Sequence, residues 1–400
     1  METINENYTW NTDTTYALGL YKLNAKILGI WPLNCHDVLP RIQVFILCLL
    51  QVTMMASLIA EINTECSSMS GVVEVISLIS CSILSILKIT ILSGLPSMLF
   101  EVVTSAVEDW SIVKTPSARN LMKKHAKLGR FVFLFQLGSG YVTIIPMILG
   151  PLPFLAPQID VNGTNSTAQL RGLPLRTTCI FGDISDFLYA VVFTIQALQL
   201  LSTCTANVGI DVYFFGITMH LCGQFRLLGK DLENFDTSVD ESKQRECLVQ
   251  IIHRHVKLNR LAQHIEDSFN HIILVQLAAN ALQMSLMGIQ MLLSFKSGNT
   301  VMIVNTIIIL YVMSLQLFLY SYAGDRLSSE IANLRVSAYF SPWHEMPVKL
   351  ARDVLFIMMR NDKNFYITGG KIYRINIDNF KNLIKALGSY FSVLRIMFDA

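Results

Sequence analysis

The fold class this sequence predicts is an all-α polytopic membrane protein with seven transmembrane helices, and three observations carry it. The chain is 52% hydrophobic and only 15% charged, against roughly a quarter charged for an ordinary soluble domain. Its mean hydropathy is +0.47. Its apolar residues are gathered into runs of about 20, the length at which a helix satisfies its own backbone amides across a hydrocarbon core.

Taken in order, residues 1–41 form the N-terminal segment, polar from Met1 to Asn24. They lack the basic start, apolar stretch and small-residue cleavage site of a signal peptide, so the first span is expected to direct its own insertion. Six runs then read clearly as spans: residues 42–60, 71–94, 131–149, 187–215, 272–295 and 301–322. The second carries Glu74 and Lys88, one towards each end, where long side chains are expected to reach the interface. The seventh run, 383–398, is shorter and more polar, with Gly388, Ser389, Tyr390, Ser392 and Arg395. Such a helix either lines a pathway or packs closely through small residues, and its composition leaves both open.

Basic residues orient the bundle. With the N-terminus in the cytoplasm, 25 of the 31 Lys and Arg residues fall in inner segments and three (Arg171, Arg176 and Lys296) in outer ones. The expected topology is therefore N-terminus in, C-terminus out. The sequons at Asn162 and Asn165 agree, since both lie in the long outer loop between the third and fourth runs. Inside, Leu221, Phe225, Leu228 and Leu232, then Leu248, Ile252 and Val256, recur at helical spacing, so the fourth and fifth helices are expected to continue below the membrane. Pro347 opens an amphipathic helix with Val348, Ala351, Leu355 and Met358 on one face. Gly369-Gly370, between β-prone runs, marks a small hairpin. The expected organisation is one 400-residue domain, with residues 42–322 holding the first six helices, 323–382 a cytoplasmic segment and 383–398 the seventh helix.

The chemistry-bearing residues are few. Among eight cysteines there is no CxxC. Cys48, Cys81 and Cys204 fall in apolar runs as buried thiols, whereas Cys66 and Cys179 fall in outer loops, where a disulfide is permitted. His253, His255, His264 and His271 match no zinc spacing and sit among Arg254, Lys257 and Arg260, which repel a cation, so a solvated helix face is expected. No nucleophile elbow, phosphate loop or dinucleotide turn is present, so neither catalysis nor a cofactor is expected. A net charge of +2 gives no reason to expect a nucleic acid. Asp211, near the inner end of the fourth run, is expected at the interface, and the mid-depth acids that a proton-coupled carrier needs are missing.

The seventh helix is the most informative. At 100° per residue, Ala386, Ser389, Tyr390, Val393, Ile396 and Met397 share one face, with Arg395 on the other. Four such helices around an axis would form an apolar constriction that gates by dewetting.

The C-terminal residues Trp343, 355–359, Gly369-Gly370-Lys371, Phe380 and Ser389-Tyr390 resemble those of the insect odorant receptors, and the stretch from Trp110 to Arg130 is also similar. The resemblance extends over the whole chain in length, helix count and topology, with its motifs in the last 60 or so residues. It implies a ligand-gated, non-selective cation channel in the plasma membrane of olfactory neuron dendrites. It further implies a heterotetramer with a shared co-receptor, a small volatile or semi-volatile organic ligand and an intracellular anchor built by helices four to seven. Aligned on Ser389-Tyr390, Val393 and Met397 fall on the family's gate positions. Ile396 stands where the co-receptor and gustatory receptors carry glutamine, which points to a tuning subunit. The implied pocket lies in the outer half of the bundle, and depth alone nominates Ile76, Ile79, Gly138, Tyr141, Ile145, Tyr189, Phe193, Met287 and Asn305. Two alternatives stay open: a gustatory-type channel, and a G-protein-coupled receptor, which would need its N-terminus outside.

Overall fold

The computed structural model describes residues 10–34, 37–63, 69–113, 115–151, 172–177, 179–181, 184–360 and 365–399. They form ten α-helices: α1 (Thr12–Ile27), α2 (Val38–Ile62), α3 (Met69–Gly94), α4 (Pro96–Ile112), α5 (Pro116–Leu149), α6 (Asp186–Glu233), α7 (Glu241–Ser297), α8 (Thr300–Phe340), α9 (Val348–Arg360) and α10 (Ile377–Asp399). A two-residue hairpin, β1 (Thr368–Gly369) with β2 (Tyr373–Arg374), precedes α10. Asn11 caps α1, its side-chain oxygen accepting from the Thr14 amide at 2.7 Å. Prolines open α4 and α5, where a missing amide hydrogen costs nothing.

Among the described residues, six helices are long and apolar enough to cross a membrane: α2, α3, α5, α6, α7 and α8. They contain the six runs expected from the sequence. The seventh run lies in α10, which begins at Ile377, six residues before the expected start. At 1.5 Å per residue, the 48 residues of α6, 57 of α7 and 41 of α8 span roughly 70, 85 and 60 Å, about twice a bilayer core or more. The excess extends on the basic, cytoplasmic side, where α1, α4, α9 and the hairpin pack around it. Most of the buried apolar side chains belong to one cluster running through these elements.

Three expectations need correction. The N-terminal segment, expected to be merely polar, contains α1, whose Leu18, Tyr21 and Ala25 are buried in the main core. His255 was expected on a solvated face, but it is buried, with Nε2 2.7 Å from the Asn259 side-chain amide nitrogen. Lys88 and Asp211, both expected at the interface, are buried together and paired. The sequence shows the cost of a charge in lipid but not the partner that removes it, because that partner lies more than a hundred residues away.

Tyr21 shows how α1 is seated. Its ring meets Phe133 edge-on at 5.3 Å and lies over Gly216 of α6 and Gly129 of α5. A Cβ at Gly129 would come within 2.7 Å of the Tyr21 hydroxyl, and one at Gly216 would strike the ring itself. Glycine is needed here for close approach, not for an unusual backbone angle. Gly216→Val is therefore expected to overpack the site, costing about 1–3 kcal/mol. A lower melting temperature of the detergent-purified chain, relieved by adding Tyr21→Ala, is the result to look for.

Candidate ligand chamber and pore helix

At the outer end of the bundle a second apolar cluster is built by Met54 and Leu58 of α2, Val75 of α3, Leu200 of α6 and Leu175 of the outer loop. Ile79, Ile144 and Met147 pack against it. Hydrogen bonds hold its walls together. Thr203 donates to the Gln51 side-chain oxygen at 2.9 Å, and Gln51 donates to Ser202 at the same distance. Residues 172–177 close the top. The Leu175 amide donates to Gln196 Oε1 at 3.1 Å, the Gln196 side chain donates to Thr177 at 2.8 Å, and Tyr189 donates to the Gly172 carbonyl at 2.8 Å. An ion pair from Arg176 to Glu74, 2.7 Å, lies beside this cover. Apolar walls with a few fixed polar groups are the usual make-up of a site for a small organic molecule, and the thioethers of Met54 and Met147 adapt to different shapes.

The structure separates the pocket candidates chosen by depth. Ile79 packs on the outer cluster. Tyr141 is half-buried, its hydroxyl 2.9 Å from that of Thr205. The rings of Tyr189 and Phe193 meet at a tilt, centroids 6.0 Å apart and planes at 42°, and Met287 is buried in α7. Ile76, Gly138, Ile145 and Asn305 instead stand on the outer surface of the chain. Depth sets how far along a helix a residue lies but not which way it points, and these four are exposed rather than packed on the cluster. Sequence reasoning missed Gln51, Gln196, Gln199 and Thr203. All four are buried in apolar runs, and a polar residue inside such a run was the available signal. Asn162, Asn165 and Cys66 lie outside the described residues. Cys179 is exposed, and its amide donates to Glu61 at 3.4 Å.

The last helix is fixed along one stripe only. Phe380, Leu383 and Leu387 pack on Met284 of α7 and Met313 and Leu317 of α8. Phe380 also meets Phe318 edge-on at 5.7 Å, and Phe391 lies 2.9 Å from where a Cβ on Gly288 would be. The stripe facing away from the chain carries Ser389, Val393 and Ile396, with Tyr390 at its edge. Val393 is 55% exposed and Ile396 70%. The side chain of Met397 lies outside the described residues.

Between the outer cluster and the last helix lies the buried pair. Lys88 Nζ of α3 is 2.5 Å from Asp211 Oδ1 of α6 and donates to the Asn207 carbonyl at 2.9 Å. Gln316 and Tyr320 of α8 also donate to the Asp211 carboxylate, and Gln276 of α7 donates to Gln316 at 3.1 Å.

Comparison with known proteins agrees with this architecture. A family model described as 7tm Odorant receptor matches residues 68–388. Odorant receptor 10 of Aedes albopictus is 20% identical over 320 residues, covering 77% of this chain and 76% of its own. The odorant receptor coreceptor of Ooceraea biroi is 25% identical over 159 residues, 40% of this chain and 33% of that one. Among solved structures, the insect olfactory receptor OR5 from Machilis hrabei superposes with a TM-score of 0.72 at 15% identity, covering 95% of this chain and 99% of its own. The same receptor in complex with eugenol gives the same TM-score. With four-fifths of its length matched by the family model, and six long apolar helices followed by a seventh near the C-terminus, the chain belongs to the insect odorant receptor family.

Proposed function

We propose that this chain is the odorant-binding subunit of a ligand-gated, non-selective cation channel, assembled with a co-receptor as a heterotetramer in the plasma membrane of olfactory neuron dendrites. Family membership supports the odorant-receptor role, and the Ooceraea biroi coreceptor among its relatives supports co-assembly. The observation that carries the channel reading is the last helix, held by its own chain on one side and presenting Ser389, Val393 and Ile396 on the other. An apolar stripe left unpartnered by its own chain fits a pore wall completed by neighbouring subunits. Residues 323–382 would anchor the subunits below the membrane, and 383–398 would line the pore. The ligand would enter the outer cluster by displacing Met54, Leu58 and Met147 beneath the 172–177 cover. The structurally similar OR5 was solved with eugenol, a small semi-volatile phenol.

The test is current under voltage clamp, with and without a co-receptor, across alcohols, esters and phenols including eugenol. Odorant-evoked cation current that survives blockade of G-protein signalling is expected; its loss under that blockade would overturn the channel reading. If Val393 lies at the gate, Val393→Ala shortens the apolar constriction and makes it easier to wet. Basal current is then expected to rise severalfold at equal surface density, and an unchanged basal current would remove Val393 from the gate.

A further inference from the structure

We infer that the buried Lys88–Asp211 pair positions the helix that supports the pore, and so links odorant occupancy to gating. The inference rests on the channel function proposed above. The geometry points to it in three steps. The pair first joins the two helices that also line the ligand chamber. Ile79 of α3 lies nine residues above Lys88, and Thr203 of α6 lies eight above Asp211. At 1.5 Å per residue these are vertical offsets of about 13 and 12 Å. A ligand wedged between α3 and α6 therefore acts on helices whose polar tie lies two to three turns below.

The second step is from α6 to α8. Asp211 accepts from Gln316 and Tyr320 as well as from Lys88, so one carboxylate ties α3, α6 and α8 together. These contacts have no alternative partner in lipid, and a buried charge that loses its partners is strongly disfavoured. The arrangement is thus selective in position: α8 can move against α6 only if the carboxylate exchanges its donors.

The third step is from α8 to α10. Met313 and Leu317 lie on the stripe of α8 next to Gln316 and Tyr320, and on them rest Leu383 and Leu387 of the last helix. A rotation or shift of α8 that changes the Asp211 contacts must move the surface on which the pore helix sits. Nothing in ligand binding or ion passage requires Lys88 or Asp211 to touch either, so both are positioning residues. Shape and charge can be separated experimentally, because an apolar pair of similar size keeps the packing while removing the tie.

The experiment co-expresses each variant with the co-receptor and records surface density, basal current and EC50 for the strongest agonist of the unmodified chain within the alcohol, ester and phenol panel. The neutral double variant Lys88→Met with Asp211→Leu is expected to shift the EC50 at least tenfold, or to raise basal current relative to evoked current by a similar factor. Tyr320→Phe removes a single donor to Asp211 and is expected to shift the EC50 severalfold in the same direction as the neutral double. Should the neutral double variant not reach the surface, Tyr320→Phe decides alone. An unchanged EC50 and basal current in the neutral double, or in Tyr320→Phe, would overturn the inference. No evoked current from the unmodified chain would overturn the channel reading instead, which keeps the two failures apart.

Discussion

Asp109→Leu is expected to destabilise the receptor by about 3–5 kcal/mol and to remove most of it from the cell surface. Asp109 sits on α4 in the cytoplasmic part of the bundle and is 4% exposed. Its Oδ2 is 3.0 Å from His220 Nε2 of α6 and its Oδ1 is 2.5 Å from Arg254 of α7, so one carboxylate ties three helices. Arg254 also donates to Gln224 at 2.6 Å. Deleting the carboxylate leaves the partly buried Arg254 without its counter-charge, and removal of one partner from a buried pair is what carries the large cost. Burial pushes the Asp109 carboxyl up, but His220 and Arg254 outweigh it and hold the group below its ordinary value of 3.8. A carboxyl depressed in the folded state stabilises the fold above its unfolded pKa and loses that contribution as pH falls through the folded value. The melting-temperature gap between the unmodified chain and Asp109→Asn should accordingly stay level from about pH 8 to 5 and close only below about pH 4.

How much of this was legible in the sequence follows from which signals are local. Spans are local: the membrane demands an unbroken apolar run, so residues 301–322 announce themselves without knowledge of any neighbour. The face of the last helix is also local, since a period of 3.6 residues puts Ser389, Val393 and Ile396 on one side. The structure places all three away from their own chain. Partners are not local. Lys88 reads as a snorkelling lysine and Asp211 as an interfacial acid until their helices are set side by side. The helix α1 was hidden for a related reason. Its apolar residues Leu18, Tyr21 and Ala25 are spaced for a helix but diluted by Asn, Lys and Thr, and what makes them core is the glycine groove of α5 and α6. Height along a helix can be read from the sequence and direction cannot, which is why Tyr141 and Phe193 are half-buried while Gly138 and Ile145, from the same choice of height, are exposed.

Glu266→Ala is expected to uncouple the last helix from the cytoplasmic part of α7. Glu266, on α7 and 3% exposed, accepts from the Thr368 amide at 2.9 Å and from the Thr368 hydroxyl at 2.5 Å, and Lys371 lies 3.3 Å away. The hairpin it holds is pressed between two helices. The Gly370 amide donates to the Asn270 carbonyl of α7 at 2.9 Å, and a Cβ on Gly324 of α8 would lie 2.7 Å from the Ile375 carbonyl oxygen. Gly370 and Lys371 both adopt positive φ, 61° and 62°, so the turn is tight and its glycine is conformationally required. Two residues after Ile375, α10 begins. Hydrogen bonds to a charged acceptor contribute about 1.5–3 kcal/mol each, so losing both Thr368 bonds costs on the order of 3 kcal/mol locally while the six spans stay packed. The expected outcome is a receptor that reaches the surface, with evoked current cut severalfold and faster proteolysis within residues 365–376. Glu266→Gln keeps an oxygen for the Thr368 amide and a donor for its hydroxyl, and is expected to stay close to the unmodified chain. If the glutamine variant were as impaired as the alanine, the Lys371 charge contact would be the essential one, because that contact is what glutamine removes and the Thr368 bonds are what it retains.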